Sequence, residues 1–320
     1  MSTVADKNEA PRAQLGEASL QLSMRQRLLP FYNRHRDGFV GYSLLAPMFI
    51  FFAVFSLFPV LFVIYLSFTE WNGVLGWPKW VGFDNFNRFF TTGDYLLTLL
   101  HAGMYGLLIL AGCMIIGFFV AILLNQKVSG VGIYRTLWYL PVLVSFAVVA
   151  QIANALLDPV TGLIRKIMER FGMEPIIFQQ SVFWMTFWLI IISIWKGIGG
   201  TVIIYLAGLQ GIDTTLYEAA KVDGATRFKI LLYITLPSLR PITMYIAIMG
   251  IIGSFQIFEP VQLLTHGGPQ GHTNIILHRI YQDAFQSFNM GMASASSVMV
   301  LIFTFVLTMI QYRISQRNQT

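Results

Sequence analysis

Charge is what this sequence has least of. Asp, Glu, Lys and Arg make up 11% of its 320 residues and hydrophobic residues 56%, whereas an ordinary soluble domain carries about 25% charged residues. A surface so poor in charge cannot stay dissolved in water, which excludes a soluble globular fold and leaves lipid as the solvent. Cysteine is nearly missing too. The single Cys113 sits in an apolar run, rules out a disulfide framework and reads as a small buried hydrophobe. No G-x-x-x-x-G-K-[ST] loop occurs, so the chain cannot cradle ATP phosphates by that route, and H-E-x-x-H, C-x-x-C and a nucleophile elbow are equally absent. The histidines, His35, His101, His266, His272 and His278, are scattered and give no metal site. Convergent catalytic groups are lacking, so an enzyme is not expected.

Long apolar runs, by contrast, are abundant. A helix needs about 20 mainly apolar residues to cross the hydrocarbon core, and segments near 40–68, 97–124, 137–157, 183–208, 241–263 and 290–312 qualify. The first two are unambiguous, because no Asp, Glu, Lys or Arg lies between Asp37 and Glu70 or between Asp94 and Lys127. The expected fold is an all-α membrane protein with six transmembrane helices. Residues 1–38 would form a polar tail, 39–315 the membrane domain with a loop at 209–240, and 316–320 a short C-terminal tail. No short apolar core precedes the first span, so no cleavable signal peptide is expected.

An even number of spans puts both termini on one side, and loop charge says which. Lys7, Arg12, Arg25, Arg27, Arg34, Arg36, Lys127, Arg135, Lys221, Arg227, Lys229, Arg240, Arg313 and Arg317 fall on that side. The other side has only Lys79, Arg88, Arg165, Lys166, Arg170 and Arg279. The formal net charge of +6 therefore reflects orientation in a bilayer, with both termini in the cytoplasm, and not a nucleic-acid stripe. Residues 21–36 read either as a helix along the membrane surface or as a disordered tail. On the outer side, "EWNGVLGWPKWVGFDNFNRFF" supplies Trp71, Trp77 and Trp80 for an interfacial aromatic belt, and "LLTHGGPQGHTN" must turn at Gly267-Gly268-Pro269.

One cytoplasmic stretch breaks the avoidance of charge. "YEAAKVDGATRFKILLYITLPSLRP", Tyr217 to Pro241, holds Glu218, Lys221, Asp223, Arg227, Lys229 and Arg240. Thr215-Leu-Tyr-Glu218 fits a capping box, Gly224 suits a left-handed helix end, and a second helix is expected near Thr226 with Phe228, Leu231 and Leu232 on its apolar side. Pro237 and Pro241 would end or kink that helix where the fifth span begins. The product is a compact docking knob stiffly joined to the bilayer, or else a solvated linker.

The pattern E-A-A, three residues, G, nine residues, I, one residue, L-P is met at Glu218, Ala219, Ala220, Gly224, Ile234, Leu236 and Pro237. It resembles the EAA motif of membrane subunits of binding-protein-dependent ABC importers. "YRTLWYLPVLVS", "LAGLQGIDTTLYEAAKVDGA" and "FQIFEPVQLLTHGGP" are similar to the carbohydrate branch, the maltose, lactose and glycerol-3-phosphate type, over residues 40–315. The resemblance implies that 209–240 is a coupling loop whose E-A-A helix sits in a cleft of a cytoplasmic ATPase, with Glu218, Ala219, Ala220, Asp223, Gly224, Arg227, Leu236 and Pro237 as the coupling residues. It also implies a second, similar permease, a pair of ATPase subunits that hold ATP and magnesium in place of this chain, an extracytoplasmic binding protein, a sugar or oligosaccharide substrate and a prokaryotic inner membrane.

Ionisable residues within spans are functional candidates. Lys196 lies near the middle of the fourth span and Glu259 near the outer end of the fifth, about 14 Å apart in depth at 1.5 Å per residue, too far to pair directly. Lys196 would then face a polar cavity or a partner subunit, or snorkel along neighbouring glycines, and Glu259 would shape an outer gate. The resemblance carries a mid-membrane sugar site to Ser193 and Gly197 on the fourth span and Gly250 and Ser254 on the fifth. Gln151 and Asn154 on the third span are added because amides at that depth need partners. Helix packing is the competing explanation for each of these. An ion-coupled secondary carrier is the rival class, with Glu259 its only intramembrane carboxylate.

Overall fold

The computed structural model describes residues 41–126 and 129–317. The expectations for residues 1–40, among them a surface helix at 21–36, lie outside the described residues. The chain divides into two compact units, Met1–Phe62 and Val63–Thr320. In the first unit the described residues are helical throughout and begin α1, Gly41–Leu66, which is interrupted only by a π turn at Ala53–Leu57. This segment contains no charged residue and every turn of it can face lipid.

The second unit starts with a short antiparallel ladder in which Thr69 faces Trp80 and Glu70 faces Lys79. Phe68 stacks on Trp80 at 5.4 Å and meets Phe83 edge-on at 5.3 Å, so these aromatics form a packed cluster. Then follow α2 Asp84–Thr91 and α3 Asp94–Leu124, the longest helix. The third span is a bent pair, α4 Val131–Leu143 and α5 Phe146–Leu157, and α6 Leu163–Arg170 lies beyond it. After these come α7 Val182–Gln210, α8 Thr214–Val222, α9 Arg227–Ser238, α10 Arg240–Ser254, α11 Ile276–Tyr281 and α12 Met290–Arg317.

Four helices of the described chain are long and apolar enough to cross a membrane, and six spans result if each bent pair counts as one. The bends correct two expectations. The third span is not one helix over 137–157, because α4 and α5 meet at 91°. Val144 and Ser145 are both extended, and Ser145 restarts the chain by accepting the Ala147 N–H on its side chain. The fifth span does not run through 241–263 either: its helix stops at Ser254. Pro260 has no N–H, and its ring would clash with the carbonyl of Gln256 in a continuous helix. The short turn Val261–Thr265 replaces the missing segment.

α3 lies along α7 and α10 and is the axis of the second unit. Glycine makes the closest approach possible: a Cβ on Gly106 would lie 2.2 Å from the Cβ of Ser254 and 2.6 Å from its Cα. Three apolar clusters are present among the described residues, a small one around Phe146, Ala150, Ala153 and Leu264 and two larger ones. Of the larger two, one gathers Tyr95, Leu99, Tyr105, Leu189, Phe255 and Met292, and the other Val120, Leu124, Val202, Tyr205, Leu239 and Ile246 at the opposite ends of the same helices.

Candidate functional site: the charged elbow and the groove above it

The charged stretch folds as two helices at a tight turn. Its cap differs from the expected one. Asp213 accepts the Thr215 N–H at 2.9 Å, so α8 starts at Thr214 and Thr215–Glu218 forms no capping box. A carboxylate is a stronger acceptor than a hydroxyl, and the Thr215 N–H holds the Asp213 carboxyl below the usual carboxylate range. The far end follows a Schellman pattern: Ala225 N–H bonds Ala220 O at 2.9 Å, Gly224 N–H bonds Lys221 O at 3.1 Å, and Gly224 has φ +72°. Thr226 then caps α9. The Tyr217 hydroxyl lies 3.2 Å from Thr235 Oγ1 and ties the two helices together. α9 and α10 bend by 60° at Leu239, which is buried in the core and serves as the pivot between Pro237 and Pro241.

Glu218, Ala219, Asp223, Gly224, Arg227, Leu236 and Pro237 are exposed, and Ala220 is half-buried. Val222 is 88% and Phe228 71% exposed, so Phe228 does not lie on a packed apolar side as expected. The ion pairs of the described chain are Arg165–Glu169 and Arg279–Asp283, so no charge of the elbow is paired within it. A surface with several bare apolar side chains and unpaired charges of both signs is chemically suited to a protein cleft.

Above the elbow, a cavity of about 430 Å³ opens between α3, α7 and α10. Gly197, Gly250 and Ser254 line it, and Ile257 joins them although the helix that was to carry it has ended. No Asp, Glu, Lys, Arg or His lines it; its polar side chains are Thr201, Tyr245, Ser254 and Cys113. A second cavity of about 840 Å³ continues between α7 and α10 as far as Asp213, Leu216 and Pro241. The two cavities follow one another along α7 and α10 and share Ile204 and Tyr245 in their linings, the second reaching the base of the elbow.

The remaining expected residues stand elsewhere. Ser193 is buried and donates to Leu189 O on its own helix at 2.7 Å. Gln151 is exposed on α5, and Asn154 donates to Leu263 O at 3.1 Å, holding the Val261–Thr265 turn. Lys196 donates from Nζ to Val142 O at 3.2 Å. That carbonyl lies in the last turn of α4, where no intrahelical partner remains, so the lysine caps the broken span. Glu259 is exposed beside the helix break.

Sequence reasoning missed Tyr245 and Thr201, although Gly197, Thr201 and Ile204 recur at helical spacing, as do Tyr245, Met249 and Gly253. It also missed a cluster at the outer end. The Tyr95 hydroxyl donates to Asp283 at 2.8 Å, Arg279 lies 3.4 Å from the other carboxylate oxygen, and its guanidinium sits over the Tyr95 ring. Burial pushes the Asp283 carboxyl above the usual range, and the Tyr95 and Arg279 contacts only partly offset it.

The family described as binding-protein-dependent transport system inner membrane component matches residues 113–320. The chain belongs to this family. It is 34% identical over 287 residues to the probable ABC transporter permease protein YesP of Bacillus subtilis, covering 88% of this chain and 91% of that one. The arabinooligosaccharides transport system permease protein AraP of Halalkalibacterium halodurans is 29% identical, covering 89% of this chain and 90% of the relative. Among solved structures, a bacterial ABC transporter involved in the import of the acidic polysaccharide alginate aligns over 91% of this chain and 99% of its own, with a TM-score of 0.78 and 26% identity. This permease is thus a multi-pass inner-membrane transport subunit of a bacterium and no enzyme, and nothing in these likenesses supports the ion-coupled carrier.

Proposed function

We infer that this permease carries a sugar or oligosaccharide along the groove between α7 and α10 and is driven by an ATPase docked on the elbow. The observation that carries the reading is the succession of two cavities along α7 and α10 with Ile204 and Tyr245 between them. The upper one is a membrane cavity of about 430 Å³, and the lower one touches Leu216 of α8 and Pro241, the two flanks of the elbow. Such a cavity is within the usual range for a small-molecule site. Displacing the elbow moves α10 about Leu239 and so changes the width of the groove at Tyr245. Turning a two-state gate from 1:99 to 99:1 takes about 5.5 kcal/mol of differential binding. This chain has no nucleotide site of the P-loop type, so a pair of ATPase subunits closing on ATP and magnesium supplies that energy. The groove is open along one side, and a second, related permease closes it, while an extracytoplasmic binding protein delivers the cargo.

Carbohydrate is the favoured class because AraP and the alginate importer are named for saccharides. The lining supports an uncharged one. Tyr245 is half-exposed and offers an aromatic face with a hydroxyl, Ser254 and Thr201 offer further hydroxyls, and no cation is present for a phosphate or uronate. The test is ATP-driven uptake of labelled oligosaccharides into proteoliposomes holding the assembled transporter. Ser254→Leu and Tyr245→Ala should each lower uptake at least tenfold with assembly intact. Normal affinity and rate in both variants would leave these residues a packing role only.

A further inference from the structure

On α3 the lining of the membrane cavity begins at Gly106, and on the chain leaving α10 it ends at Ile257. Tyr105 stands just before the one and residues 258–275 just after the other, at the end of the cavity away from the elbow. There Phe255, Val261 and Ile275 pack with Tyr105 and Leu189 in one core. The segment 258–275 has a single short helical turn, Val261–Thr265. Val261, Thr273 and Ile275 of this segment are nevertheless buried, while His266, Gln270 and His272 are exposed. One of its surfaces is thus inserted among the helices and the other faces out.

The segment is tied to itself by side chains. Thr273 Oγ1 donates to Thr265 Oγ1 at 2.8 Å, and Thr265 Oγ1 accepts the Gly267 N–H at 3.2 Å. To its surroundings it is fastened through main-chain carbonyls. From α3 the Tyr105 hydroxyl donates to His272 O at 2.6 Å, and His101 Nδ1 lies 3.1 Å from Asn274 O. From α5 the Asn154 amide donates to Leu263 O at 3.1 Å. Neither His272 O nor Leu263 O accepts a backbone N–H among the described residues. A carbonyl held only by a side chain can pass to water without the loss of any regular structure. The segment can therefore lift with its own fold intact.

We propose that residues 258–275 are a lid on the membrane cavity and that Tyr105 and Asn154 are the positioning residues that hold it shut. Removing either donor strands its carbonyl while the lid is down and lets water pair with it once the lid lifts, so the open lid gains. The inference rests on the reading of the cavity as the cargo path. A lid at this end then decides when cargo enters from outside.

The test uses spheroplasts of cells expressing the whole transporter, with the binding protein washed away. The reporter is Gly253→Cys in a chain with Cys113→Ala; Gly253 lines the cavity, and nothing lies within 4 Å of its Cβ position. A membrane-impermeant thiol reagent added outside should label this parent chain slowly. Tyr105→Phe, which keeps the ring, and Asn154→Leu should each speed labelling about tenfold, and the two together more. Lys196→Met, which strips a carbonyl of its donor elsewhere in the fold, should label as slowly as the parent. Fast labelling of the parent or of Lys196→Met would overturn the proposal. So would a lowered thermal midpoint with unchanged labelling in either lid variant. Labelling needs no cargo, so the two readings fail separately: a fully labelled chain that still takes up sugar would remove the cavity from the cargo path and leave the lid standing.

Discussion

Replacing Gly224 with Ala isolates the role of the turn in the elbow. The backbone there has φ +72°, and nothing lies within 4 Å of the place a Cβ would occupy. The methyl group meets no neighbour in this chain, so its effect is confined to the backbone. An L-residue held in the left-handed region costs roughly 1–2 kcal/mol, a factor of about 5–30 in an equilibrium. The elbow is exposed, and a side-chain hydrogen bond from Tyr217 to Thr235 links α8 and α9. A free elbow can therefore relax, so the strain falls on docking. The expected result is a 5–30-fold loss of affinity for the ATPase subunit, measured with the permease in nanodiscs, with a matching fall in uptake and little change in thermal midpoint. Gly224→Asn should recover most of the loss, since Asn tolerates this conformation. Equal losses in the two variants would refute the conformational argument and point to a cleft that admits no side chain at all.

Three further outcomes are expected. Gly106→Ala forces α3 from α10, because its methyl would collide with the backbone of Ser254; overpacking of this kind costs about 1–3 kcal/mol, read as a lowered thermal midpoint in detergent. Lys196→Met removes the donor on Val142 O and should destabilise by about 1–3 kcal/mol, with Lys196→Arg much milder, and selectivity among substrates should not change. Asp283 titrates above the usual carboxylate range in the folded chain, so the native state holds its proton more tightly than the unfolded one. Its contribution to stability is complete below an unfolded value near ~3.9 and is lost as pH rises through the raised folded value. Asp283→Asn should remove that part of the decline in thermal midpoint between pH ~4 and neutrality.

Much of the fold could be read from hydropathy, and what could not has a common cause. α3, α7 and α12 are long apolar runs whose ends are marked by charge or turn formers, and their expected limits differ from the structure by a few residues. The bend at Val144–Ser145 does not interrupt the apolar run, whereas the one at Leu239 falls at Pro237, Arg240 and Pro241, where the sequence marked a kink. Hydropathy registers whether a residue suits lipid and is blind to the direction of the helix axis. Pro141, Ser145 and Pro260 carried the missing signal. In the elbow, Thr215 and Asp213 were competing caps two residues apart, and acceptor strength decided between them. The depth estimate for Lys196 considered only Glu259 as a partner, whereas a carbonyl freed by the bend supplied one. The cavity brings together Gly106, Gly197 and Ser254 from distant parts of the chain, and local pattern cannot show which faces of three helices meet.

The central claim, that a cytoplasmic ATPase moves this permease through the elbow, is tested most directly by a cysteine at the exposed Ala219 in a chain with Cys113→Ala. In membranes of cells expressing the whole transporter, that cysteine should crosslink to the ATPase subunit in a nucleotide-dependent manner and resist a membrane-impermeant thiol reagent added outside. Labelling from the outside, or full uptake while the crosslink never forms, would contradict it.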